Sequence, residues 1–153
     1  MATLIFHNLT RWMVLFFGIW AIVNAITGLT SKRSFSKADK LSGLFFMVFC
    51  DIQLLLGLIL LFTNDWLAKI QNGMGALMKN PADRFFVVEH GFMMILAWIL
   101  VHVGYSATKK APAESKHKKM LIFFGIALLL IIISIPFAYK GNDIARPNFR
   151  WFN

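Results

Sequence analysis

His7, Arg11, Asp51, Glu89, His90 and His102 are ionisable side chains set in or beside long apolar runs. An unpaired charge at the centre of a bilayer costs roughly 2.5–3.5 kcal/mol on insertion scales, so each such group is a candidate for function. His7 and His90 suggest the sharpest chemistry. A b-type haem in a helical bundle takes two axial imidazoles from different helices at one depth, one on each face of the macrocycle. With a helix beginning near Phe85, Glu89 and His90 lie roughly 6–8 Å inside its outer end at ~1.5 Å per residue. His7, just before the first apolar run, and Arg11, at its start, belong to the same level.

Arg11 is four residues from His7 and shares its helical face, which places it near a haem propionate. It is also the expected partner of Glu89, since an arginine stays charged and requires a counter-ion at low dielectric. That pair could equally do no more than tie two helices together. Asp51 falls about 15 Å into its run, near the midplane. It is a candidate for a protonated acid, for a contact with a Lys or Arg of another subunit, or for a proton path. Gln53 and Asn24 can bond across helices. His102 is expected to satisfy a backbone or headgroup partner, and His117, within Lys116-His117-Lys118-Lys119, to be a solvated loop residue. No Gly-rich phosphate loop, Ser–His–Asp set or zinc-ligand cluster occurs.

The elements that must position these groups are long and greasy. About 20 predominantly apolar residues span ~30 Å of hydrocarbon. Four runs qualify, at about 9–29, 41–62, 85–107 and 120–139. Backbone in lipid must satisfy its own hydrogen bonds, so these runs are helices, and their continuous apolarity argues against a β-barrel. The expected fold is an all-α, four-helix transmembrane bundle in a single domain. Asn80-Pro81-Ala82-Asp83 carries the marks of a helix start: a capping Asn, Pro in the first turn and an acid at the positive dipole end. Pro136 should kink or end the fourth helix. Gly18, Ala21, Ala25 and Gly28 recur at three- and four-residue steps and allow a neighbouring helix close approach. Between the second and third runs, Trp66, Leu67, Ile70, Met74, Leu77 and Met78 share one helical face, which predicts a short interfacial helix at about 65–78, weakened by Gly73 and Gly75. The alternative is an irregular loop packed by its own apolar residues. The tail Asn148-Phe149-Arg150-Trp151-Phe152 reads as an interfacial anchor.

Hydrophobic residues make up 58% of the 153, charged residues 15%, and the formal net charge is +9. A soluble domain has about 45–50% apolar and about 25% charged residues. The bases sit in short segments between apolar runs, which points to topology signals and lipid headgroups rather than nucleic acid. Lys32, Arg33, Lys37 and Lys40 fill the first loop, and Lys109, Lys110, Lys116, Lys118 and Lys119 the third. The second loop and the tail are sparser. The denser loops are expected on the cytoplasmic side, with both termini outside, which in a bacterium is the periplasm. No Lys or Arg precedes Arg11, so Met1–Leu29 does not read as a cleavable signal peptide. Cys50 is the single cysteine, and no disulfide can form within one chain.

Several stretches resemble a group of small bacterial four-helix membrane proteins labelled "cytochrome B". They are His7-Asn8-Leu9-Thr10-Arg11-Trp12, Gln53-Leu54-Leu55-Leu56-Gly57-Leu58, Met78-Lys79 with Arg84-Phe85, Val88-Glu89-His90 with Met93-Met94, and Lys116-His117-Lys118-Lys119 with Ile122-Phe123-Phe124. They cover nearly the whole chain. The resemblance implies a respiratory-membrane setting. The family pattern places a histidine two residues before Gln-Leu-Leu-Leu-Gly, where this chain has Asp51, so His7 and His90 are the haem ligands it leaves. Three functions follow. One is a non-redox accessory subunit beside a larger inner-membrane complex, with Arg11–Glu89 and Asp51 as links. Another is a b-type cytochrome-like electron carrier, with His7 and His90 on haem b and Arg11 near a propionate. The third is a small proton-linked transporter using Asp51 and Glu89.

Overall fold

The structure, a computed structural model, describes residues 2–137, 141 and 144–148. Its long elements are α1 (Ala2–Thr30), α2 (Lys37–Thr63), α6 (His90–Lys110) and α7 (Lys116–Ser134). Between α2 and α6 lie α3 (Trp66–Gln71), α4 (Met74–Lys79), the single turn α5 (Pro81–Asp83) and a π-helical segment, Arg84–Glu89. A 3₁₀ turn, Ala113–Ser115, leads into α7. No strand occurs among the described residues. Four stretches are long and apolar enough to cross a membrane: Ala2–Thr30, Lys37–Thr63, Pro81–Lys110 and Ala113–Ser134. α1 packs on α2 and α7, and α6 packs on the same two, so α1 and α6 stand at opposite corners of the bundle.

The helix ends follow local chemistry. Ser36 and Asp39 form a capping box at the start of α2: Ser36 Oγ accepts from Asp39 N (3.3 Å) and Asp39 Oδ2 accepts from Ser36 N (2.6 Å). Asn80 Oδ1 accepts from Ala82 N and Asp83 N, as its position before Pro81 predicts. α7 stops at Ser134, two residues before Pro136, whose ring cannot continue it. The expected helix at 65–78 is two short helices instead. Gly73, at φ +115°, breaks it, a conformation that side-chain-bearing residues rarely adopt. α1 begins seven residues earlier than its apolar run suggested, because Ala2–Asn8 is also helical, so His7 lies inside the helix rather than before it. Of the tail cluster at 148–152, only Asn148 belongs to the described residues.

The core is thin and made by small residues. Gly18, Ala21, Ala25 and Gly28 are all buried. A Cβ on Gly18 would lie 2.9 Å from both Leu128 Cδ1 and Phe46 Cε2, so the bare backbone there is what lets α2 and α7 close on α1. Phe46 and Phe124 meet edge-to-face at 5.3 Å between ring centres. Other large apolar side chains point the other way: Phe16, Leu55, Phe62 and Phe92 are each at least 60% exposed. A surface of that kind is suited to hydrocarbon and unstable in water.

Candidate functional site at the His7 end of the bundle

His7 and His90 come together from opposite corners of the bundle. Their ring centres are 6.4 Å apart and the rings are inclined at 71°. What aims His90 is the π-helical segment before it. The His90 N–H bonds to the Phe85 carbonyl, five residues back, and this wider turn shifts the side-chain register at the start of α6. His90 Nδ1 lies 2.9 Å from the Ser134 carbonyl. A carbonyl only accepts, so Nδ1 carries the proton and Nε2 the lone pair of the neutral ring.

His7 is held through its backbone. Gln53 Nε2 donates to the His7 carbonyl (2.9 Å), while Thr10 Oγ1 donates to Gln53 Oε1, so α2 is stapled to α1 one turn from the imidazole. Gly57, one turn further along α2, faces the ring: a Cβ there would sit 3.4 Å from His7 Cε1. Four buried side-chain atoms among the described residues lack a hydrogen-bond partner. Three of them, His7 Nδ1, Asn8 Oδ1 and Arg11 Nε, lie within about one turn of α1. Orphaned polar atoms at this density are rare in a finished interior.

Arg11 is 8% exposed. Its Nη2 donates to the Asn148 carbonyl at 2.6 Å, and Trp12 Nε1 shares that acceptor at 3.1 Å. No carboxylate among the described residues forms an ion pair with it. The expected Arg11–Glu89 pair is therefore corrected: Glu89 pairs with Arg84 Nε at 2.9 Å on the exposed side of the π-helical segment. Glu89 and His90 are consecutive on a helix and so cannot both face inward. With His90 turned in, Glu89 turns out.

Asp51 lies halfway along α2, with 44% of its side chain exposed on the outside of the bundle. Trp98 Nε1 donates to its Oδ1 (2.6 Å), and His102 Nε2 approaches the same oxygen at 3.2 Å. His102 Nδ1 is engaged by the Trp98 carbonyl at 3.0 Å, as expected of a histidine that satisfies backbone. Asp51, Trp98 and His102 thus form one polar cluster joining α2 to α6.

The other end of the bundle contains a network that the sequence reading missed. His117 is not a solvated loop residue: it is 4% exposed, and its Nε2 lies 3.2 Å from Asp39 Oδ2. Asp39 is fully buried and receives both guanidinium nitrogens of Arg33, at 2.5 and 2.7 Å, besides the Ser36 N–H and hydroxyl. Those hydrogen bonds push the Arg33 pKa above its ordinary value. Asn24 crosses from α1 to α2, donating to Ser42 Oγ at 3.1 Å. The Ser36-x-x-Asp39 spacing was a readable signal for part of this. Nothing local marks His117, because its burial depends on Gly28: a Cβ there would fall 2.3 Å from the imidazole.

Compared with family models, curated proteins and solved structures, the chain matches none.

Proposed function

We propose that this chain is a multi-pass protein of the bacterial cytoplasmic membrane, termini outside, which carries one b-type haem between His7 and His90 and serves as an electron-transfer subunit of a larger membrane complex. The observation that carries this reading is the imidazole pair across the bundle. The two rings come from different helices and their centres are 6.4 Å apart, so His7 and His90 would be the residues to hold the haem iron. The surroundings fit too. The bond from His90 Nδ1 to Ser134 is the kind of outer contact that fixes the tautomer and orientation of a metal-binding histidine. Arg11 is a buried cation awaiting an anion, and a propionate would supply one.

Bound there, the haem supplies a one-electron couple. The chain's own residues would do the rest. Gln53 and Thr10 fix the His7 backbone, Ser134 fixes the His90 ring, and Arg11 neutralises negative charge one turn away. Membrane placement is supported by the four long apolar stretches and the large exposed apolar side chains. The termini-outside orientation rests on the Lys/Arg-rich loops at 31–40 and 109–119. The test is a dithionite-reduced minus oxidised spectrum of protein purified from haem-replete cells. A b-type α-band that disappears in both His7→Ala and His90→Ala is expected. Its absence from the wild type, or its survival in either variant, refutes the proposal.

A second reading has its own support: an accessory subunit without redox chemistry. Asp51, Trp98 and His102 present a polar group on the lipid-facing side at mid-span, where a neighbouring subunit could meet it. Purification in mild detergent would then recover a complex that Asp51→Leu dissociates. Recovery of the wild type as a single chain would speak against it.

A further inference from the structure

A cavity of about 190 Å³ opens between α2, α6 and α7 at the Asp39 end of the bundle, remote from the two histidines. Its floor is apolar, formed by Gly43, Met120 and Phe124. Its mouth is basic: Lys40, Lys109 and Lys116 line it, with the Tyr105 side chain among them. Thr108 lines it as well. Thr108 is 6% exposed, and its hydroxyl is buried with no hydrogen-bond partner. A helical threonine ordinarily bonds the carbonyl one turn back, as Thr27 and Thr30 do in α1. Thr108 Oγ1 makes no such bond among the described residues, while the residue itself lines the cavity. The one acid in the lining, Asp39, is already neutralised by Arg33 and by its other donors. The lysines are thus left with an uncompensated positive field.

We propose that this cavity binds the phosphate head of an anionic phospholipid. Three lysines around the mouth suit a phosphate, which offers several strong acceptor oxygens. An apolar floor reached from the helix surface suits the lipid's glycerol and upper chain better than it suits a free ion. Basic pockets between transmembrane helices on the side of Lys/Arg-rich loops are a recurring way of holding such headgroups. Of the amphiphile, only the phosphate head is specified by these residues. The site is independent of haem binding at the opposite end.

The probe is phosphatidylglycerol titrated onto detergent-solubilised full-length protein, followed by native mass spectrometry, with phosphatidylcholine and inorganic phosphate as parallel arms. Phosphatidylglycerol should bind in preference to phosphatidylcholine. Lys109→Gln, Lys116→Gln and Thr108→Val should each weaken it about fivefold, while Lys79→Gln, outside the cavity, should not. Equal binding of the two lipids, or indifference to the three cavity variants, overturns the proposal. Displacement of phosphatidylglycerol by inorganic phosphate at equal concentration also overturns it, because the site would then be one for free phosphate. The two lysine variants change flexible surface side chains and keep the test decisive if Thr108→Val does not fold.

Discussion

At the Asp39 end of the bundle, a carboxylate with no exposed surface receives Arg33, Ser36 and His117. At the His7 end, a guanidinium of 8% exposure hydrogen-bonds the Asn148 carbonyl, and His7 Nδ1, Asn8 Oδ1 and Arg11 Nε find no hydrogen-bond partner among the described residues. The two ends share a composition, apolar helices with a few sunken polar groups, yet the buried Asp39 network closes on itself, apart from the lysines around the neighbouring cavity, while the buried groups around His7 stay open. A closed network ties α1, α2 and α7 together and asks for nothing from outside. An open one carries a standing desolvation penalty that only a ligand can relieve. On the proposed function, the difference separates polar residues kept for the fold from polar residues kept for a bound group.

The sharpest way to break that contrast is to remove the two imidazoles proposed to hold haem. His7→Ala and His90→Ala should abolish haem absorbance entirely while the helical circular dichroism remains, since the helices also pack through the small-residue and Phe46–Phe124 core away from these rings. The opposite end should respond in the opposite sense. Asp39→Ala removes the acceptor of buried His117 and the carboxylate that Arg33 and Ser36 share, and each lost hydrogen bond to a buried charged group costs about 1.5–3 kcal/mol, the partly exposed Arg33 less. Unfolding in increasing dodecyl sulfate should show that loss, while the haem retained per folded molecule stays at the wild-type level. A variant that lost both together would mean that the two ends are not separable. Gly28→Ala should cost less, about 1–3 kcal/mol, by forcing the His117 ring away from a methyl placed 2.3 Å from it.

The fold was more legible than the site. Four apolar runs, the Asn80 cap, Pro136 and the small-residue stripe on α1 are short-range signals, and short-range physics decides where helices start, stop and touch. Side-chain partners across helices depend on rotation, which hydropathy does not encode. The Arg11–Glu89 expectation failed for that reason: a π-helical segment not apparent from residue types turned Glu89 outward toward Arg84. His117 looked solvated because its neighbours are lysines, and it is buried because Gly28 leaves it room. The His7–His90 juxtaposition could be anticipated because it required only equal depth, not a particular rotation. Gln53 and Asn24 could be anticipated as cross-helix groups for the converse reason: an amide inside an apolar helix has few alternatives to a neighbouring helix.

Arg11→Met gives the smallest expected effect and separates the two ends by sign. The substitution removes one hydrogen bond to Asn148, worth about 0.5–1.5 kcal/mol, and also the burden of holding an unpaired buried charge. A methionine of similar length fills the same space between Trp12 and Phe137, whose rings lie 5.3 and 5.9 Å from the guanidinium carbon. The two effects offset, so the stability of haem-free protein in dodecyl sulfate should shift by no more than about 1 kcal/mol in either direction. Haem retention should fall, because the propionate loses its counter-charge, and the loss should be larger at low salt, where charge pairing is least screened. A fall in haem-free stability as large as that of Asp39→Ala would place Arg11 in a closed structural network after all, and the contrast between the two ends would no longer hold.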